Sequence, residues 1–461
     1  MQTSAVQKLG RSVACVISIF VLAGCSVTQL KPGSSGGRDR PLQIWWSEGY
    51  YPEETESIQN AIGEWEETSN QKAELTFYSE KDLVAEIENA LQKGTPPDVI
   101  YGYNIDSVLL PRLAWNDQLA DVSEILEPIK DRYIPQALES VLYVNQKQNS
   151  RTFYAVPISQ SITHIHYWED LLAKAGLNTQ AIPQEWDRFW QLWQTAQTNL
   201  RQQGDKTIYG LGLPMSSAAT DTNNVFAQFL EAYNVELIDP QGNLNLNSPN
   251  NRDGIIKALT NYTDFYQKGF VPAEAIAWND PDNNVFFLSN LTVMTANATL
   301  SIPGSQRQDP INYYERMRTV PWPNKPDNTP MRSIMSVKQI AILKESAHLN
   351  DAKDLVTFLV QPENLTAFIE GSQGRFFPVL SELMDRPLWN DPQDPHLSNL
   401  KEQFQNSRPT YSVWNPAYSE VLAQNVWGEA IQDILINKKS PEKAADDAIK
   451  KIQTIFEQWQ Q

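Results

Sequence analysis

An α/β fold is predicted by three features of the sequence. Residues 82–101 run from an amphipathic helix through a Gly-Thr-Pro-Pro turn into a short apolar strand. Residues 339–360 supply a strand followed by a helix. Between these, strand-like and helix-like segments alternate with no repeat at solenoid spacing, which is the pattern of parallel α/β units.

The elements follow in chain order. Lys8 and Arg11 precede an apolar run from Val13 to Ala23, about half the ~20 residues that span a bilayer, so the segment reads as a secretory signal. Leu22-Ala23-Gly24-Cys25 resembles the bacterial lipobox, which implies cleavage after residue 24 and a diacylated Cys25. Residues 25–40, with Gly-Ser-Ser-Gly-Gly and no periodicity, fit a flexible tether holding a globular body off a membrane surface. Cys15 would leave with the signal, so the mature chain carries no disulfide and its core must supply the stability.

The body opens with a strand at Leu42-Gln43-Ile44-Trp45-Trp46. Over 82–93, Leu83, Val84, Ile87, Ala90 and Leu91 share one helical face, Gly94 stops the helix, and Asp98 to Tyr101 form a buried strand. Residues 154–167 are extended, with a helix around 171–175 ended by Gly176 and another starting near Pro183-Gln184-Glu185-Trp186. A strand at 339–343 precedes a helix from about 351 to 360. Ser440-Pro441 caps a last helix with Ala445, Ala448, Ile449, Ile452, Phe456 and Trp459 on one face.

Composition narrows the function. The formal charge is −18, or −20 without Lys8 and Arg11, which argues against nucleic acid and anionic lipid surfaces as partners. Fourteen Trp and 17 Tyr leave some rings free to serve as flat platforms for sugars, although most such rings pack cores.

Six segments in order then resemble family 1 of the extracellular solute-binding proteins of ABC transporters, the sugar-binding group typified by maltose-binding protein. They are KGTPPDVIYGY (93–103), YAVPISQSITHIHYWEDLLAKAGL (154–177), PQEWDRF (183–189), FFLSNLTVMTANATL (286–300), the stretch 337–380 and SPEKAADDAIKKI (440–452). The resemblance implies two α/β lobes of the type II periplasmic-binding-protein fold. They would comprise residues 41–156 with 319–361 and residues 157–318 with 362–461, crossing near 154–158, 319–321 and 360–363. It implies a lipid-anchored protein of the cell envelope, monomeric and without a cofactor, that closes on a neutral sugar or osmolyte by hinge motion and passes it to permease subunits. The ligand class the resemblance implies is a disaccharide or a glucosylglycerol-like compound. Departures from the family pattern at Trp168-Glu169, Asn290-Leu291, Glu185, Ala298-Thr299-Leu300 and Met331-Arg332-Ser333 leave the individual ligand open.

Within that fold, loops at strand ends face the cleft and supply the candidate ligand contacts. Trp46, Ser47 and Glu48 leave the first strand; Tyr103, Asn104 and Asp106 leave the strand after Pro-Pro-Asp. Gln160 follows the first crossing, Trp278 and Asn279 precede the strand that Asn297 ends, and Arg375 and Phe376 lie in the Gly-x-x-Pro-like loop. Tyr411, Trp414 and Tyr418 complete the set, with core packing as the competing role for each.

Other signals are weaker. His164 and His166 share a strand face at a spacing two metal ligands could use, but no third ligand is evident, so packed histidines and no metal are expected. Residues 239–254 are oxygen-rich without the order of an EF-hand. No phosphate-cradling loop, nucleophile elbow or Cys/His pair is present, so no enzyme is expected. A glycerol-3-phosphate-type ligand in the same fold, a secreted glycoside hydrolase, which needs two carboxyls about 5–9.5 Å apart, and a ligand-blind sensor are the alternatives.

Overall fold

The computed structural model describes residues 40–459 except 180, 247 and 398–400. Cys25, the signal and nearly all of the tether lie outside the described residues. Among those described, no helix is long and apolar enough to cross a membrane.

The described residues form twelve strands: β1 (Leu42–Ser47), β2 (Ala73–Tyr78), β3 (Val99–Tyr101), β4 (Leu142–Asn145), β5 (Ser150–Phe153), β6 (Val156–Ile162), β7 (His164–Trp168), β8 (Tyr209–Gly212), β9 (Thr292–Asn297), β10 (Met317–Val320), β11 (Ser333–Ile342) and β12 (Ser407–Pro409). The first lobe's sheet has the order β12-β11-β3-β1-β2, with β6 also paired to β11, and the second lobe's is β10-β7-β9-β8. β1 runs parallel to β2 and β3, whereas β11 is antiparallel to β3 and β6. β4 and β5 form a separate hairpin.

Local chemistry explains the central elements. Alternation in β1 buries Leu42, Ile44 and Trp46, and the Trp46 ring stacks on Tyr101 of β3 at 4.1 Å. Helix Glu80–Lys93 starts at Ser79, whose hydroxyl accepts from the Asp82 N–H, and stops at Gly94, which adopts φ 71°. Leu83, Ile87 and Ala90 are its buried face. Asp98, fully buried before β3, ties three segments together. It accepts two bonds from Arg40 (2.8 and 2.9 Å), one from the Gln43 N–H (2.8 Å) and one from Ser346 Oγ (2.6 Å).

Each lobe has its own core. The second is rich in aromatic rings, with Trp186, Phe189, Trp190, Trp193, Phe229 and Phe265 meeting largely edge to face. Helix Pro441–Trp459 closes it with Ala444, Ala445, Ala448, Ile452, Ile455 and Phe456, one face as the sequence predicts.

The crossings differ from those expected. β6 stays in the first sheet through Ile162, so the first change of lobe falls at Thr163 rather than at 154–158. β10 is a strand of the second sheet, so the second crossing is the stretch 321–332 rather than 319–321. The third lies between β12 and Tyr411 rather than at 360–363. Helix Pro362–Gly371 buries Leu365 and Ile369 in the first core, and Phe376, Phe377, Val379, Leu380, Leu383, Trp389 and Phe404 join it there, so this helix and those residues belong to the first lobe.

Candidate functional site

A cavity of about 360 Å³ lies between the lobes. Its first-lobe wall is built around Arg375. The guanidinium sits 4.3 Å from the Tyr103 ring centre, 4.7 Å from Phe376 and 4.9 Å from Tyr50. Its Nη1 donates to Glu54 at 3.2 Å, and the Tyr103 hydroxyl donates to the same carboxylate. Burial acts first to disfavour the Arg375 charge, but Glu54 and its neighbours outweigh it and hold the group firmly protonated. Burial likewise raises the Tyr103 phenol, so it stays a donor.

Beside it, Lys338 on β11 donates to Ser336 Oγ at 2.6 Å and to the Tyr103 carbonyl, and lies 3.8 Å from Asp106. Asp106 also accepts from Ser336 at 2.7 Å, and burial lifts its pKa despite the lysine.

The second-lobe wall is one face of helix Thr220–Ala232. Asp221, Asn223, Asn224, Ala227 and Leu230 recur at helical spacing along the cavity, while Val225, Phe226 and Phe229 face the core. Asp280, Asn284 and Asn297 add polar groups, and Tyr411, Tyr418 and Trp427 add rings. Asn297 at the end of β9 donates to the Thr299 carbonyl at 2.8 Å and to Ser301 Oγ at 3.1 Å.

Eight of the predicted residues come together on this lining: Tyr103, Asn104, Asp106, Asn297, Arg375, Phe376, Tyr411 and Tyr418. The other seven lie elsewhere, each for a visible reason. Trp46 is buried in the first core, Ser47 is buried at the strand end, and Glu48 points to solvent. Gln160 is consumed by the chain itself, its N–H bonding Phe377 O at 2.9 Å and its Nε2 bonding Pro378 O at 2.7 Å. Trp278 packs on Phe286 within the second core, and Asn279 is exposed. Trp414 sits at the seam of both cores, with Nε1 on Glu139 at 3.0 Å.

The sequence reading missed Tyr50, Glu80, Lys338, Arg408, Trp427, Asp280 and the polar face of helix Thr220–Ala232. The one available signal was Thr220-Asp221-Thr222-Asn223-Asn224, a cluster of small acceptors opening an apolar-periodic helix.

At one edge the lobes touch directly. Tyr51 donates to the Ser301 carbonyl at 2.6 Å, and a Cβ added at Gly304 would lie 2.6 Å from the Tyr51 hydroxyl. Gly304→Val is therefore expected to break this bond and wedge the lobes apart, seen as a larger radius of gyration in solution scattering with an unchanged circular dichroism spectrum. Identical scattering from the variant and the parent would refute the contact's role.

No cofactor is suggested by these side chains, and among the described residues no group of three or more His, Cys, Asp or Glu is placed to hold a metal. His164 and His166 are instead fully buried in β7.

Comparison with known proteins adds the following. A family model described as bacterial extracellular solute-binding protein matches residues 61–398. YcjN of Escherichia coli K12, described as an ABC transporter periplasmic-binding protein, is 22% identical over 351 residues, covering 74% of this chain and 76% of its own. Among solved structures, an ABC transporter solute-binding protein from Thermotoga lettingae bound with α-D-tagatose superposes with a TM-score of 0.75. It is 21% identical, over 90% of this chain and 99% of that one. Maltose-bound MalE3 of T. maritima gives a TM-score of 0.73 at 19% identity, over 90% and 99% of the two chains. At these identities the superpositions speak for the two-lobe fold.

Proposed function

Because the chain belongs to the family of bacterial extracellular solute-binding proteins, which bind solutes outside the cytoplasm and do not transform them, we propose that it captures a saccharide or sugar-derived osmolyte for an ABC importer. The ligand is of about disaccharide size and carries no anionic group. A lipid on Cys25 holds the protein at the envelope, and permease subunits receive the closed, loaded form.

The observation that carries this reading is the cavity. Its volume of about 360 Å³ falls in the range of small-molecule sites, roughly 300–1,000 Å³. The aromatic residues Tyr50, Tyr103, Phe376, Tyr411 and Trp427 give its lining apolar surface for the C–H patches of sugar rings, and carboxylates and amides suit their hydroxyl rims. Its cations are already held by carboxylates, which disfavours a phosphate ligand such as glycerol-3-phosphate. The sugars named with the tagatose- and maltose-bound relatives agree in class. Because residues of both lobes line the cavity, a ligand contacts both only when they are together, and its binding favours closure.

The full chain in mild detergent, titrated with neutral disaccharides, glucosylglycerol and glycerol-3-phosphate, tests this through intrinsic tryptophan fluorescence and calorimetry. Saturable binding of a saccharide that is recovered chemically intact is expected. Turnover of the ligand, preference for glycerol-3-phosphate, or silence toward every saccharide would each overturn the reading.

A further inference from the structure

Charge in the cavity is uneven. Its three cationic residues each have a buried carboxylate partner: Arg375 has Glu54 at 3.2 Å, Lys338 has Asp106 at 3.8 Å, and Arg408 has Glu231 at 3.2 Å. Glu80, Asp221 and Asp280 line the same space, yet among the described residues no Lys or Arg forms an ion pair with any of them. Glu80 opens a helix of the first lobe and Asp221 begins one of the second, so carboxylates face one another across the cleft. The Asp221 N–H donates to Asp280 Oδ1 at 2.9 Å, which fixes those two side by side.

All three open to the cavity: Glu80 and Asp280 keep substantial exposure and Asp221 is half-buried. Burial raises all three above the ordinary carboxylate range, and the charge of Asp280, then that of Glu80, raises Asp221 further. Acids in a first helical turn are unremarkable on a solvated surface, where they complement the helix dipole. A second, independent observation sets this corner apart. Asn223 and Asn284 line the same cavity at 6% exposure each, and the side-chain carbonyl oxygen of each has no hydrogen-bond donor. Asn224 Nδ2 donates to Asp221 Oδ1 at a long 3.4 Å, yet carboxylates and buried amide oxygens together leave this corner with more acceptors than donors.

We propose that this corner seats an ammonium group, so that the captured solute is an amine-bearing saccharide or amino-polyol, a substrate class that presupposes the saccharide reading of the cavity. An ammonium supplies three N–H donors and no acceptor, and it cancels repulsion that a hydroxyl leaves standing. Seated between Glu80 of one lobe and Asp221 and Asp280 of the other, it also draws the lobes together, which gives the amine an effect on closure as well as on contact.

The test titrates the full chain in mild detergent with matched pairs: glucosamine against glucose, 1-amino-1-deoxysorbitol against sorbitol, and 2-amino-2-deoxytrehalose against trehalose. In at least one pair the amine is expected to bind about tenfold or more tightly. That preference should shrink to within about twofold in Asp221→Asn and Asp280→Asn. Asp280→Asn keeps an oxygen to accept from the Asp221 N–H, and Asp221→Asn leaves that N–H in place. Both should raise the melting temperature of the ligand-free protein at pH 7.5 by removing the burial cost of a carboxylate and the like-charge repulsion. Equal or tighter binding of the neutral member in every responding pair overturns the inference and leaves the saccharide reading intact, as does binding confined to other neutral sugars. An amine preference that survives both substitutions places the nitrogen elsewhere and also overturns it. Silence toward every pair and every neutral sugar removes both readings together.

Discussion

Replacing Glu231 with alanine is expected to cost about 3–5 kcal/mol of stability, the loss typical of breaking a buried ion pair from one side. Glu231 ends helix Thr220–Ala232 and is 1% exposed. Its carboxylate accepts from Lys325 Nζ at 3.0 Å, Arg332 Nε at 3.0 Å and Arg408 Nε at 3.2 Å. Lys325 and Arg332 lie in the second crossing and Arg408 beside the third, so one side chain anchors two of the three connections between lobes to the helix that also lines the cavity. Burial pushes the Glu231 pKa up, but Arg408, Arg332 and Lys325 together overcome it and leave the group below its ordinary value. Without the carboxylate, buried Arg408 keeps only the Pro409 carbonyl, at 3.0 Å, and the Tyr411 ring, at 4.0 Å. Arg332→Ala removes one half-buried cation while two others continue to neutralise Glu231, and about 1 kcal/mol is expected there. Urea unfolding of the two variants reads the difference. Equal losses would show that the carboxylate is no hub and that the crossings are held by backbone alone.

How far such features could be read beforehand depends on what each signal specifies. The helix over 80–93 and the last helix were legible to within a residue or two because apolar spacing, caps and Gly94 are local. Tyr103, Asn104 and Asp106 were legible as cavity residues because they leave a strand whose neighbours a family resemblance already ordered. Helix Pro362–Gly371 shows the limit: its apolar stripe of Leu365 and Ile369 dictates that it docks, but either core could receive it. The third crossing was misplaced for that reason. The polar face of helix Thr220–Ala232 has the same ambiguity in reverse, since a cleft and open solvent ask for the same residues until the fold chooses between them. Trp46 and Trp278 were candidates by position and core by geometry, because a ring that suits a sugar also suits a hydrophobic interior.

His164 and His166, singled out by spacing, lead to the second large effect, which is on acid stability. His166 Nδ1 and His396 Nδ1 lie 2.8 and 2.7 Å from the single hydroxyl of Thr319, and His396 Nε2 lies 2.9 Å from the Tyr313 carbonyl. The carbonyl only accepts, so His396 donates from Nε2 and accepts at Nδ1. The Thr319 proton therefore points to His396, and His166 donates to Thr319. This chain requires His396 to be neutral so that its Nδ1 can accept, whereas His166 donates from Nδ1 in either state. Burial lowers His166 and His396 to about 3 and lowers His164 as well. The unfolded chain takes up protons below about pH 6.5, so the stability these rings confer is whole above that pH and is lost progressively as pH falls toward 3. Between pH 7.5 and 5.0 the loss amounts to about 2 kcal/mol per ring, or about 4 kcal/mol for His166 and His396 together. The cavity carboxylates raised by burial act with the opposite sign over the same range, so the net slope of the parent protein does not isolate the histidines. His396→Leu does. It should cost about 1–2 kcal/mol at pH 7.5, because the Tyr313 carbonyl loses its donor, yet lose about 2 kcal/mol less than the parent on going to pH 5.0. Urea unfolding at the two pH values measures both numbers. An unchanged difference between them in the variant would mean that His396 titrates normally in the folded protein and that the neutral chain through Thr319 does not hold.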